Sequence, residues 1–220
     1  MIEQVAYPLL ADDPVYQATL AGWDRSQDCW VFAYASLLWR PEFDAAEVRR
    51  ARLWGWHRAL EMRSRVNRGS PQQPGLVFAL VAGGSCVGHA LRLPRDRAEP
   101  ELQRLWQREM PGGGIYQPRW LRCDTAQGPV KALTFTLARD HPNYTGRLSD
   151  EQVRTILHCA SGRYGSTLDY LLQTAEQLDR LGIRDRKLER IAALGRQVAQ
   201  AIAAFMRATP VPGRTPPAAR

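Results

Sequence analysis

Apolar and polar positions follow two regimes along this chain. As far as about residue 138 the apolar residues fall into short dense runs broken by Gly, Pro and polar clusters, and from Ser149 onward they recur every three or four residues. The longest run, Trp30-Val31-Phe32-Ala33-Tyr34-Ala35-Ser36-Leu37-Leu38-Trp39, is preceded by Asp28 and stopped by Pro41, and it predicts a buried strand that turns out of its sheet at Tyr34-Ala35-Ser36. Residues 51–62 predict a second strand, rich in Trp and Leu, with Gly55 as a bulge. Residues 76–82 and 86–93 flank Gly83-Gly84-Ser85 and predict a hairpin. Residues 120–126 and 130–138 predict another across Gln127-Gly128-Pro129. About six strands at this spacing mark a barrel or closed sheet.

The helical regime has clear boundaries. Residues 1–27 carry only a weak pattern (Val15, Leu20, Trp23), enough for a helical turn or two. Residues 99–110 form a predicted helix between the hairpins, with Pro100 in its first turn and a Pro-Gly run at 111–114 ending it. Ser149-x-x-Gln152 is a capping box ahead of Val153, Ile156, Leu157 and Ala160. Residues 167–181 place Leu168, Leu171, Leu172, Ala175 and Leu178 on one face, with Gly182 at the position just past the helix end. A last helix starts near Asp185 with a stripe of Leu188, Ile191, Val198, Ile202 and Phe205. Residues 209–220, with four prolines and no apolar period, are expected to be a disordered tail after a single domain over 1–208.

Chemistry shows at two places. On the 99–110 helix the stripe Leu102, Leu105, Trp106 continues to Glu109, so an acid points where the helix faces the core. Burial would raise such a carboxyl toward neutrality, the condition a proton shuttle needs; a glutamate in a last turn that reaches water is the other reading of the same pattern. The second place is the Tyr34-Ala35-Ser36 bend, where small side chains let a ligand approach backbone N–H groups able to hold an anion or a polarised carbonyl. A core strand with an incidental serine reads equally from this run.

Composition narrows the classes. In 220 residues there is no run of apolar positions long enough to cross a membrane and no basic-then-apolar leader, so a soluble cytoplasmic protein is expected. Cys29, Cys86, Cys123 and Cys159 lie far apart without CxxC or a histidine at ligand spacing, which argues against zinc and against a cysteine nucleophile. The net charge of +8 fits solubility and a small anionic ligand as well as it fits DNA; because the arginines are scattered among acids and not gathered in a block, no nucleic-acid partner is expected.

The residues also resemble a known family. Trp30 to Trp39 is similar to the WVFGYGSLIW signature of the ChaC-like γ-glutamylcyclotransferases, and the likeness continues through Arg68-Gly69, Pro74-Gly75 and Gly83-Gly84-Ser85-Cys86-x-Gly88. It resumes in Trp106-x-Arg108-Glu109-Met110, Tyr116-x-Pro118-Arg119-Trp120 and Asn143-Tyr144-x-Gly146, and ends with Asp169-Tyr170-Leu171 and Leu181-Gly182-Ile183-x-Asp185, so it covers roughly residues 28–195. The resemblance implies an α+β fold, a mostly antiparallel six-stranded barrel flanked by helices with a helical C-terminal third. It implies an enzyme that cleaves glutathione to 5-oxoproline and cysteinylglycine without metal or cofactor. By motif position it implies Glu109 as the catalytic acid/base, Val31, Phe32, Ala33, Tyr34, Ala35, Ser36 and Leu37 as the substrate loop, and Tyr144 at the pocket wall. An arginine of the 63–68 loop, Arg63 first, is expected to meet the substrate's glycine carboxylate. One departure stands out: Ala35 occupies the family's Gly, which matters either as a Cβ at positive φ or as a Cβ that narrows the pocket.

Overall fold

The computed structural model describes residues 10–41, 43–111 and 114–208. A helix α1 (Pro14–Ala21), capped by the Asp13 carboxylate, leads into strand β1 (Cys29–Ala33) and a short 3-10 turn, Ser36–Leu38. Two long strands follow, β2 (Glu47–Ser64) and β3 (Gly75–Leu93), then helix α2 (Arg95–Glu109) and strands β4 (Gln117–Thr125) and β5 (Val130–Thr136). Helix α3 (Asp150–Cys159), a two-residue ladder of β6 (Ser161–Gly162) with β7 (Gly165–Ser166), and helices α4 (Thr167–Arg180) and α5 (Arg186–Ala208) complete the described chain. The expected tail, residues 209–220, lies outside the described residues.

The barrel closes with five strands in the order β1-β3-β2-β4-β5, and β5 returns to β1. Most pairings are antiparallel; β5 runs parallel to β1 and, at Leu80 opposite Thr136, to β3. The expected count of six was one too many because Gly83-Gly84 is not a hairpin. Residues 75–93 form one strand that bends there, with Gly83 at φ 106° and Gly84 at φ 73°, while Gly55 at φ 80° lets β2 follow the same bend. The ladder slips between Trp54 and Trp56 and resumes, as a bulge allows. A glycine pair at positive φ serves a bulge and a tight turn alike, so the local sequence does not separate them.

The first strand is shorter than its apolar run. It stops at Ala33 because the chain leaves the sheet into the 3-10 turn, whose Leu37 and Leu38 carry the apolar pattern onward as buried side chains. Helix α2 begins at Arg95, four residues ahead of expectation, so Pro100 sits inside it rather than in its first turn. The stripe of α5 fades toward its end, with Leu188 and Val198 buried but Phe205 72% exposed, because the barrel and α4 no longer lie beneath the last turns. Among the described residues no helix is long and apolar enough to cross a membrane.

One ion pair ties the helical part to the barrel. Arg58, 3% exposed, donates through Nε to the Tyr34 carbonyl (2.5 Å), through one terminal nitrogen to Val87 O (2.7 Å) and through the other to Asp185 (2.6 Å). The same Asp185 carboxylate accepts from Leu188 N at the start of α5. A charge so buried is tolerated because all three contacts are made at once. The end of β1, where the chain bends, is thereby held in place from both sides.

Candidate active site

Where β1 leaves the sheet, a small, partly open cleft is lined by Tyr34, Ala35, Ser36, Leu37, Phe78, Glu109, Tyr116, Phe135 and Tyr170, with a cavity volume of about 30 Å³. The walls come from the bend and 3-10 turn after β1, the start of β3, the end of α2, the residue just before β4, the end of β5 and α4. Ser36 and Leu37 open the 3-10 turn, and N–H groups at a helix start have no partner within the helix. The stripe that predicted Glu109 inward is real: Leu102, Leu105 and Trp106 are buried, and the Glu109 side chain is 15% exposed.

The charge placement is unusual. A carboxylate in the last turn of a helix faces the negative end of the macrodipole, and here Arg108 offsets it, with Nε 3.1 Å from Glu109 Oε1. The same guanidinium donates to Ser36 Oγ (2.8 Å) and to the Arg40 carbonyl (2.5 Å). Arg108 therefore joins the acid to the bend in one rigid contact set.

Two buried phenols, Tyr34 and Tyr170, and a partly buried one, Tyr116, surround the carboxylate. Tyr34 Oη donates to Phe135 O at 3.2 Å, and Tyr170 Oη accepts from Phe78 N at 3.3 Å. Burial, then the Glu109 charge, holds the Tyr34 hydroxyl well above the usual phenol range. Tyr116 is pushed the same way by burial first, then by Tyr34, to which it hydrogen-bonds, and by Glu109. Tyr170 is raised chiefly by burial, against the Phe78 N–H that lowers it. All three therefore stay neutral donors at physiological pH. Cys29 and Cys123 are pushed by burial up to about 12, Cys86 is also raised by burial, and none of these thiols lines the cleft. Among the described residues no His, Cys, Asp and Glu group could hold a metal ion.

The structure brings together Tyr34, Ala35, Ser36, Leu37 and Glu109, and it does not bring the other expected site residues to this cleft. Val31, Phe32 and Ala33 are at most 1% exposed, because β1 is flanked by β3 and β5 and covered on both faces. Tyr144 bridges to Met62 and packs in a small second core with Ala79 and Leu137, its hydroxyl raised by burial and then by the Glu61 charge. Arg63 is exposed and lines a separate groove of about 260 Å³ with Pro74, Leu76, Leu148 and Ile156. Arg65 also points away, donating to the Asn143 side chain. Ala35 has φ −139°, so its Cβ is not in the left-handed region; what it does is occupy the cleft wall. Phe78, Tyr116, Phe135 and Tyr170 were not expected as walls, since an aromatic within an apolar run reads as core; only the topology turns these four toward one acid.

The family model for ChaC-like proteins matches residues 29–199 of this chain. The chain belongs to the ChaC-like family. Among its relatives, the glutathione-specific γ-glutamylcyclotransferase of Escherichia coli is 37% identical over 169 residues, 76% of this chain and 73% of that one. The human glutathione-specific γ-glutamylcyclotransferase 1 is 29% identical over 160 residues, 71% of this chain and 72% of the relative. The crystal structure of a γ-glutamyl cyclotransferase specific to glutathione from yeast superposes with a TM-score of 0.70 at 17% identity, over 78% of this chain and 96% of that one. That last likeness is one of fold alone.

Proposed function

We propose that this ChaC-like protein is a glutathione-specific γ-glutamylcyclotransferase, cleaving glutathione to 5-oxoproline and cysteinylglycine with Glu109 as the acid/base. The observation that carries this reading is the half-buried carboxylate held by Arg108 against the Tyr34–Leu37 bend in one apolar cleft. The relatives' names supply the substrate class, and the residues supply a chemistry that suits it.

In that chemistry the nucleophile and the electrophile arrive on one molecule. The α-amine of the γ-glutamyl group attacks its own side-chain carbonyl carbon and closes a five-membered lactam, so orientation replaces a bimolecular encounter. At neutral pH the amine is an ammonium. Glu109 takes a proton from it, the amine nitrogen bonds to the carbonyl carbon, and the carbonyl oxygen gains negative charge. As that charge returns, the C–N bond to the cysteinyl nitrogen breaks, Glu109 delivers the first proton to the departing nitrogen, and the second proton shed by the attacking nitrogen follows it, so the lactam keeps one N–H and cysteinylglycine leaves as its ammonium. N–H groups of Ser36 and Leu37 and the Tyr170 hydroxyl, which accepts from Phe78 N and keeps its own proton, are the donors available for the oxyanion and the α-carboxylate. Phe78 and Phe135 keep water from the reacting carbonyl, so the amine rather than water attacks.

Incubation of the purified protein with glutathione tests this: equal amounts of 5-oxoproline and cysteinylglycine are expected. Glutamate in place of 5-oxoproline would mean that water attacks, and no turnover would leave a binding protein. A second reading follows from Ala35, whose methyl narrows an already small cleft. It is that another γ-glutamyl compound is preferred, and a panel of γ-glutamyl dipeptides separates it from the first.

A further inference from the structure

Tyr170 has the cleft on one side and a guanidinium on another. The Arg68 side chain lies 5.0 Å from the centre of the Tyr170 ring and donates to the Tyr164 carbonyl at 2.5 Å. Arg68 is only 8% exposed, yet no carboxylate is in ion-pair contact with it among the described residues. Its nearest acid, Asp169, is engaged by the Ser166 hydroxyl at 2.7 Å. Other positive charge crowds the same spot, since Arg40 and Arg163 lie 5.8 and 5.4 Å from the Tyr164 ring, and that ring is 49% exposed. Burial and then the Arg40 charge oppose the charge on Arg68, the Asp169 charge offsets this in part, and a further anion in direct contact would add to that compensation.

The loop that carries Arg68 is built to hold it still. Arg68 N donates to Ser64 Oγ (3.0 Å) and its carbonyl accepts from Thr167 Oγ1 (2.9 Å), with Thr167 fully buried. A Cβ at Gly69 would lie 2.0 Å from Gly75 N, and one at Gly162 would lie 2.5 Å from Val66 O, so backbones on either side of the arginine pack directly on one another. Such packing fixes a side chain's origin to within a few tenths of an ångström.

We propose that Arg68, with Arg40 beside it, forms the subsite for the C-terminal carboxylate of the leaving peptide, so that the enzyme selects γ-glutamyl peptides ending in a free acid. The proposal rests on the γ-glutamyl reading above and deepens it. The α-carboxylate shares a carbon with the attacking amine and so must stay beside Glu109. The terminal carboxylate of a departing dipeptide lies about 7 Å away along the chain, at about 3.5 Å per residue, and Arg68 sits behind a wall of the cleft, its guanidinium 5.0 Å from the centre of the Tyr170 ring. The cleft is small, so in this proposal the part of the substrate beyond the reacting centre passes Tyr170 toward Arg68.

The test compares glutathione with its C-terminal amide on wild type, Arg68→Gln and Arg40→Gln, measuring 5-oxoproline release. Calorimetric binding of both compounds to a Glu109→Gln background reads the subsite without turnover. A charge-assisted contact of this kind is worth about 10- to 100-fold, so wild type is expected to favour the acid over the amide by that factor, through KM rather than kcat. Arg68→Gln is expected to bring the acid-to-amide ratio close to one, in turnover and in binding alike, and Arg40→Gln to lose part of the preference. Equal losses on acid and amide, or no preference in wild type by either turnover or binding, would overturn the subsite; the wild-type comparison stands even where Arg68→Gln fails to fold. Failure of the γ-glutamyl reading looks different, since 5-oxoproline is then absent with every compound while the binding comparison still decides whether Arg68 recognises the carboxylate.

Discussion

Replacing Arg58 by methionine removes three contacts at once and keeps most of the volume. The Tyr34 and Val87 carbonyls lose their donor, and the Asp185 carboxylate, 20% exposed, loses its counter-ion while keeping the Leu188 N–H. Breaking a buried pair from one side costs about 3–5 kcal/mol, a large share of a typical total of about 5–15 kcal/mol. With a urea slope of ~2 kcal/mol/M, the unfolding midpoint should fall by about 2 M. Because the Tyr34 carbonyl also fixes the bend, kcat/KM should fall further than the folded fraction does. Asp185→Asn keeps an acceptor and the helix cap and should cost about 1–2 kcal/mol. Arg58→Met combined with Asp185→Leu should cost less than the two single changes summed, since no orphaned charge remains. A midpoint shift below 0.5 M for Arg58→Met, read by urea titration of far-UV circular dichroism, would refute the reasoning.

Two further outcomes are expected. Ala35→Gly, at a backbone conformation with negative φ, should lower stability by about 0.5–1 kcal/mol while lowering KM for γ-glutamyl substrates; a KM that is unchanged or higher, in steady-state assays, would show that the Cβ does not crowd the cleft. Tyr34, Tyr116 and Tyr170 have raised pKa values and Tyr16 is pushed up to about 12. Their stabilising effect is therefore complete below pH 10, the ordinary phenol value, and is lost as pH climbs from there through the folded values, by up to ~1.4 kcal/mol per group per pH unit. Absorbance at 295 nm should show these four phenols ionising only as the protein unfolds, and ionisation near pH 10 in the folded state would contradict it.

Much of the architecture was legible because periodicity records burial directly. Strand β1, both late hairpin strands, the Ser149 capping box and the α4 stripe follow from residue spacing, and Glu109 was found by extending the Leu102-Leu105-Trp106 face by one step. What was not legible needed long-range partners. Gly83-Gly84 reads as a turn until β2, 18 residues long, is seen to run beside it as a ladder partner across the bend. Arg63 precedes Arg68 on the same polar stretch, and only the fold shows that Arg63 faces a side groove while Arg68 is packed on Tyr170. Tyr116 and Tyr170 stood in the sequence only as members of the family motifs, because what brings them to the acid, Tyr34 and the Phe78 N–H, lies far away in the chain.

Glu109→Gln preserves the size of the side chain and removes its ability to carry a proton, and 5-oxoproline release from glutathione by that variant is the most direct measurement of the proposed chemistry. General acid–base transfer contributes about 10²- to 10⁴-fold, so a loss of at least ~100-fold in kcat is expected, with an unchanged circular dichroism spectrum. A Glu109→Gln protein that releases 5-oxoproline as fast as wild type would contradict the account.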